Sequence, residues 1–187
     1  MSLRIPPPVA ASLLVLAGVL SAGCAADRMA TVHNGGAAAA GWEADDQVAA
    51  MRAAGAGLYE LEAARLAAAR ATSPQVRSYA QALVQQHGAA HAELSALLRA
   101  RGLVPPAQLP PQWQLRLSQL AGSDAAGFDR HFLLLVGLED HREQLVVHEH
   151  AARWTRDPAL RAWFARSLPM LRDHLRQAHA MALGLPA

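Results

Sequence analysis

Apolar side chains recur at alternating intervals of three and four residues along the second half of the chain, a pattern typical of helices that bury one face. Two such arms meet at Thr155-Arg156-Asp157-Pro158, where the pattern predicts a tight turn. The predicted buried faces consist of Leu134, Leu138, His141, Leu145, His148 and Ala152 in the first arm, and Leu160, Phe164, Ser167, Leu171, His174, Ala178 and Met181 in the second. This half is therefore predicted to form an antiparallel helical hairpin with a histidine at the centre of each buried face.

The two central histidines are equally far from the turn. His141 lies 16 residues before Asp157, and His174 lies 16 residues after Pro158. Because both helices rise by the same distance per residue, we expect the two imidazoles to lie at one height in the hairpin.

A second helical pair is predicted in the first half, at residues 42–72 and 73–101. Ser73 is a favourable N-cap, Pro74 suits the first helical position, and Gly102 is a typical helix stop. The turn at Ser73-Pro74 therefore joins two helices of similar length.

Glu60 and His87 are the polar centre of this first pair. Glu60 lies 13 residues before Ser73 and His87 lies 13 residues after Pro74, so they too are expected at one height. Small residues surround Glu60 on its face of the helix, which favours a partly buried carboxylate that needs a partner. The alternative is that Glu60 lies at the edge of this face and contacts water.

A long connection, residues 103–127, separates the two pairs. It contains a predicted short helix at residues 112–120, and Ser123-Asp124 is predicted to start the third long helix. About 25 residues suit a crossover that runs along a bundle rather than a plain turn. The prediction is an all-α, ferritin-like four-helix bundle of two antiparallel hairpins, spanning residues 42–183.

The N-terminal residues 1–24 are predicted to be a signal peptide. They combine Arg4 with an apolar stretch at residues 9–20 and a small-residue cleavage site that ends at Cys24, the only cysteine. The site resembles a bacterial lipobox, with Ser21 where a large aliphatic residue is usual. The alternative is ordinary cleavage nearby, for instance after Ala26.

Export follows from either alternative, and residues 25–41 are predicted to be a flexible tether. If Cys24 is acylated, the predicted partner is the membrane, reached through this lipid anchor. Ala25 rather than aspartate follows Cys24, so we expect the periplasmic face of the outer membrane rather than the inner membrane.

Charge excludes one class of partner. The chain carries 17 basic and 15 acidic residues, interspersed along the predicted helices. No basic stripe is present to neutralise phosphates, so nucleic-acid binding is not expected. A protein partner cannot be named from the sequence.

Several segments together resemble domain-of-unknown-function family 4142. They are residues 57–87 (GLYELEAARLAAARATSPQVRSYAQALVQQH), the Phe128-Asp129 start, and the run from His141 through Ser167-Leu168-Pro169-Met170-Leu171 to His174-Leu175. The resemblance implies a ferritin-like fold and a bacterial envelope location, and it implies no activity. Gln85-Gln86 departs from the acidic residues that the family pattern leads one to expect before His87.

The four polar centres are predicted to converge on a single site in the bundle interior: Glu60, His87, His141 and His174. Three imidazoles and a carboxylate suit a mononuclear site for Zn²⁺, Fe²⁺ or another divalent ion, with Glu139, Asp140 or Glu149 as outer partners. The alternative is a metal-free polar network in which Glu60 accepts hydrogen bonds from the histidines and fixes the helix register.

A di-iron site is not expected, because the glutamates required three residues before the site histidines are replaced by Val84 and Leu171. No catalytic residue stands out. Three hypotheses stay open: a structural or interaction module of the envelope, a metal-binding or metal-buffering protein, and a redox or hydrolytic enzyme built on the same site.

Overall fold

The computed structural model describes residues 41–184, which contain helices and no β-strand. The elements are α1 (Ala44–Arg70), α2 (Pro74–Ala100), α3 (Pro111–Ala121), α4 (Phe128–Phe132), a π-helical segment (Leu133–Asp140), α5 (His141–Trp154) and α6 (Pro158–Gly184). The predicted signal peptide 1–24 with Cys24, and the tether 25–41 except Gly41, lie outside the described residues. Within residues 41–184 no helix combines the length and the apolar character needed to cross a membrane.

Local sequence explains where α2 begins and where it ends. The hydroxyl of Ser73 accepts a hydrogen bond from the amide of Val76 at 3.4 Å, which is an N-cap for α2. Gly102 follows α2 with φ of 74°, a left-handed conformation that glycine adopts without strain. The predicted start and stop of this helix are confirmed.

The long helices pack mainly in two pairs, α1 against α2 and α5 against α6, and α2 also packs against α6. Two buried carboxylates hold the turns of these pairs. Asp129 accepts hydrogen bonds from the amides of Thr72 and Ser73, and Asp46 accepts them from the amides of Arg156 and Asp157. Each pair thus fixes the turn of the other, because buried backbone N–H groups require acceptors.

The apolar core has two parts, one toward each end of the long helices. One part contains Tyr59, Leu83, Phe132 and Leu133, and the other contains Leu94, Leu98, Leu160 and Phe164. Each long helix passes from one part to the other. The candidate site residues lie on these helices at the level between the two parts.

The third long helix differs from the prediction in two ways. It begins at Phe128 rather than at Ser123-Asp124, because the Asp124 carboxylate accepts a hydrogen bond from the amide of Gly127 and forms a separate turn. Leu134 was predicted to be buried but is 42% exposed. The π-helical segment has more residues per turn than an α-helix, and this rotates Leu134 out of the buried face.

The π-helical segment also lies very close to α6. A Cβ atom at Gly137 would be only 2.6 Å from the Cβ atom of Ala178. A side chain at position 137 would therefore force the segment away from α6, and glycine is required for this approach.

Candidate metal centre

The structure brings all four predicted site residues together. Glu60 is on α1, His87 on α2, His141 at the start of α5, and His174 on α6. All four side chains are buried. The equal distances from the two turns, noted in the sequence, therefore do place one residue from each long helix at the same level.

The three histidines face one another through one ring nitrogen each. The Nε2 atom of His141 lies 3.3 Å from the Nε2 atom of His87 and 3.1 Å from the Nδ1 atom of His174. Ligand atoms of all three residues lie within 4.8 Å of one another. In a tetrahedral zinc site with Zn–N bonds of about 2.05 Å, neighbouring nitrogens are about 3.3 Å apart. The two short distances therefore match a shared metal ion.

The outer nitrogen of each ring has a hydrogen-bond acceptor. His87 Nδ1 lies 3.1 Å from Glu60 Oε2, His141 Nδ1 lies 2.8 Å from the Val136 carbonyl oxygen, and His174 Nε2 lies 2.8 Å from Gln86 Oε1. An acceptor at one ring nitrogen fixes the proton there. In the neutral imidazoles, all three inner nitrogens consequently carry lone pairs that point toward one another.

The π-helical segment provides one of these acceptors. Val136 is five residues before His141, and its carbonyl oxygen accepts the side-chain N–H of that histidine. The segment ends at Asp140, and His141 is the first residue of α5; both residues are buried. The π-helical segment therefore contributes to the site the carbonyl oxygen that fixes the orientation of the His141 ring.

Glu60 occupies a different place from the one that a fourth ligand would need. Its Oε2 atom contacts Nδ1 of His87, which is on the opposite side of the ring from the nitrogen that faces His141. Glu60 is therefore an outer partner that orients His87, an arrangement common in metal sites. Its second oxygen, Oε1, is buried and has no hydrogen-bond partner within the described residues.

The electrostatics keep the His141 and His174 imidazoles in the neutral form that binds metals. Burial and the neighbouring His87 and His141 lower the pKa of His174 to about 3, and burial also lowers the pKa of His141. Burial alone would raise the pKa of Glu60, but the charge and hydrogen bond of His87 outweigh it and bring that pKa to about 2. At neutral pH the site thus contains neutral imidazoles at His141 and His174 beside an ionised Glu60 carboxylate.

The three predicted outer partners, which lie in the π-helical segment and in α5, do not contact the histidines. Asp140 accepts a hydrogen bond from the hydroxyl of Tyr59 at 3.0 Å and forms an ion pair with Arg116 at 2.5 Å. Glu139 also pairs with Arg116, and Glu149 pairs with Arg172 at the surface. We call the buried group of Tyr59, Asp140 and Arg116 the Asp140 network.

Sequence reasoning missed the acceptors Gln86 and Val136 as functional groups. The only feature of the sequence that could have indicated a role for Gln86 in the site is its position directly before His87. The Val136 carbonyl has no indication in the sequence, because backbone acceptors depend on helix geometry rather than on residue type.

Comparisons with known proteins agree with the fold and assign no activity. The family described as "Domain of unknown function (DUF4142)" matches residues 31–181. A crystal structure of a DUF305 fragment from Deinococcus radiodurans is similar to this chain with a TM-score of 0.68 and 15% identity, and the similarity covers 78% of this chain and 99% of that chain. At this identity the similarity shows the fold alone. No curated protein sequence matches the chain.

Proposed function

We propose that this chain, which belongs to the DUF4142 family, binds one divalent transition-metal ion through His87 Nε2, His141 Nε2 and His174 Nδ1. The observation that carries the proposal is the convergence of three ring nitrogens. His141 Nε2 lies 3.1–3.3 Å from the other two, and ligand atoms of all three residues lie within 4.8 Å of one another, while each outer N–H has its own acceptor. Lone pairs at such distances repel unless a cation lies between them. A buried group of this kind is stabilised when a metal ion accepts all three lone pairs.

The alternative cation is a proton. A single proton shared among three imidazoles contacts two nitrogens and leaves the third lone pair unsatisfied. Burial lowers the pKa values of His141 and His174, which further disfavours protonation. The metal-free polar network is therefore the weaker of the two hypotheses for this site.

The donor set indicates the class of metal. Imidazole suits Zn²⁺, Fe²⁺ and other first-row transition ions, whereas Mg²⁺ and Ca²⁺ prefer oxygen ligands. With Glu60 as an outer partner, the protein supplies three nitrogen ligands. We assign metal binding or buffering rather than catalysis, because this assignment needs only the ligand geometry.

The packing of α1 on α2 and of α5 on α6, joined by the connection around α3, supports the finer proposal of a ferritin-like four-helix bundle of two antiparallel hairpins.

The lipobox-like pattern that ends at Cys24 supports export and a lipid anchor, and Ala25 after it supports the outer membrane. Membrane association should be lost in a Cys24→Ser variant. Retention of that variant in the membrane fraction would contradict the anchor.

Elemental analysis of purified protein, followed by titration with Zn²⁺ and Co²⁺, tests the proposed function. We expect one equivalent of metal in the wild type and none in a His87→Ala, His174→Ala double variant. A His150→Ala, His179→Ala double variant is the matched control, because it removes two exposed histidines. Absence of metal from the wild type, even after titration, would refute the proposal and leave a structural or interaction module held in register by a polar network.

A further inference from the structure

A small chamber adjoins His87, one of the three histidines of the candidate metal centre. Its volume is about 20 Å³, which is enough for one particle of the size of a water molecule or a metal ion. Glu60 and His87 form part of its wall, so the chamber begins where the candidate metal centre ends.

Three buried polar atoms that lack hydrogen-bond partners belong to residues lining this chamber. They are Glu60 Oε1, His91 Nδ1 and His148 Nδ1. The side chains of Glu60 and His148 are more than nine-tenths buried. Buried polar atoms without partners are costly, so their concentration around one cavity indicates an occupant that they bind together.

The chemistry of these atoms favours a cation. The residues that line the chamber supply one carboxylate oxygen and two imidazole nitrogens without hydrogen-bond partners. Two imidazoles and one carboxylate form a donor set that transition-metal ions accept. Among the described residues, the three histidines are the group of histidine, cysteine and acidic side chains whose ligand atoms lie close enough together to hold an ion, and Glu60, His91 and His148 are not such a group. The chamber should therefore bind an ion more weakly than the cluster does.

The chamber lies behind a much larger cleft between α1, α3 and α5. This cleft has a volume of about 740 Å³ and is lined by Trp113 and Arg116 of α3. Ala53 and Gln144 line both the cleft and the chamber. These two residues therefore form the partition between the cleft and the chamber.

We propose that the chamber is a second, weaker binding position for the divalent ion, on the path by which the ion passes from the cleft, between Ala53 and Gln144, to the three histidines. This inference rests on the proposed metal binding. It assigns Glu60, His91 and His148 as transient ligands that replace water around the ion before it reaches the cluster.

Stopped-flow uptake of Co²⁺ by the full chain tests the path. Ala53→Leu narrows the partition without replacing any of the three histidines, so we expect uptake and release to slow by about tenfold or more while the equilibrium affinity stays the same. Ala49→Leu is the matched control, because Ala49 lies one turn earlier on α1 and lines neither cavity. Thermal unfolding monitored by circular dichroism verifies that each variant is folded.

Two more variants keep the test decisive if Ala53→Leu does not fold. Gln144→Leu removes the amide from the partition at similar volume, and His148→Leu removes a chamber donor while leaving the three histidines intact. Slower uptake in either variant supports the path. Uptake at the wild-type rate in all folded variants overturns the path and leaves the proposed function standing, whereas failure of the wild type to bind Co²⁺ overturns the proposed function itself.

Discussion

Two polar groups lie side by side in the core and differ in how their charges are balanced. Neighbouring residues in the sequence belong to different groups. On α1, Tyr59 belongs to the Asp140 network and Glu60 to the histidine cluster. Where the π-helical segment meets α5, Asp140 belongs to the network and His141 to the cluster. In the Asp140 network, the Arg116 guanidinium neutralises the carboxylate. The three-histidine cluster has no such internal cation, and its lone pairs face one another.

Because of this difference, the Asp140 network can stabilise the fold by itself, whereas the three-histidine cluster is suited to bind a ligand. A buried carboxylate with a guanidinium and a hydroxyl has its main electrostatic needs met within the protein. Three imidazoles whose inner ring nitrogens face one another are stabilised when a cation is added between them. Residues adjacent in sequence can therefore belong to sites with different purposes, and the following predictions test this division in order of decreasing effect.

Acidification should act on the two groups in opposite directions. The pKa of His174 is lowered to about 3 in the folded protein, so between that value and the ordinary 6.5 the unfolded chain binds a proton that the folded chain does not. The free energy of unfolding therefore falls as pH falls below about 6.5. Burial raises the pKa of Asp140 to about 7, so its contribution is fully present below 3.8 and is lost as pH rises through 7.

Urea unfolding at several pH values between about 7.5 and 4.5 measures both contributions. We expect His174→Gln to flatten the acid-induced loss of stability, because the group that gains a proton on unfolding is removed. Asp140→Asn should make the loss steeper, because the opposing contribution is removed. Equal slopes in the two variants would mean that the two groups do not differ in this way.

Removal of the guanidinium should destabilise the fold and spare metal binding. Arg116→Met leaves the buried Asp140 carboxylate without its ion pair, and at about pH 8 we expect a loss of about 3–5 kcal/mol in the free energy of unfolding. Arg172→Met breaks only the surface pair with Glu149 and should change stability by less than about 1 kcal/mol. A parallel fall in Zn²⁺ affinity of folded Arg116→Met protein would show that the two groups are coupled.

Gln86, the outer partner of His174, should affect the metal affinity of the site rather than the stability of the fold. Gln86 is exposed at the surface, yet its Oε1 atom accepts the Nε2–H of His174 at 2.8 Å. Loss of such an outer hydrogen bond lowers metal affinity by about 10–100-fold. Isothermal titration with Zn²⁺ should show this loss in Gln86→Ala and not in Gln85→Ala, its exposed neighbour. Equal affinity in the two variants would argue against a role for Gln86 in the site.

The sequence predicted the convergence of the site because that result depends on two simple quantities. Turn residues at Ser73-Pro74 and Asp157-Pro158 set the origin of each hairpin, and the constant rise of a helix sets the height of each polar residue. Neither quantity depends on the details of side-chain packing. Positions along helix axes were therefore predictable from spacing alone.

Rotation about the helix axis was not predictable in the same way. The prediction of a buried Leu134 was wrong because the π-helical segment changes the number of residues per turn. The sequence of Leu133–Asp140 contains no residue that predicts this change. The sequence also could not predict which ring nitrogen of His87 Glu60 contacts, because that depends on side-chain torsion angles. The pattern could thus identify the members of the site but not distinguish ligands from outer partners.

The smallest expected effect comes from a hydroxyl near the cluster that does not touch its rings. Tyr79 donates a hydrogen bond to the backbone carbonyl of His174 at 3.2 Å. Tyr79→Phe removes this bond with little change in volume, and we expect a loss of about 0.5–1.5 kcal/mol in the free energy of unfolding. Zn²⁺ affinity should stay at the wild-type value, because the imidazole of His174 keeps Gln86 as its partner.

Tyr59→Phe is the matched change in the Asp140 network, and it too should leave Zn²⁺ affinity unchanged. Because the Tyr59 hydroxyl holds the pKa of Asp140 down, its loss should move the Asp140 contribution to still higher pH. Wild-type affinity in both variants, beside weakened affinity in Gln86→Ala, would place control of the metal in the acceptors of the ring N–H groups. A loss of affinity in Tyr79→Phe comparable to that in Gln86→Ala would instead mean that the backbone position of α6 controls the site.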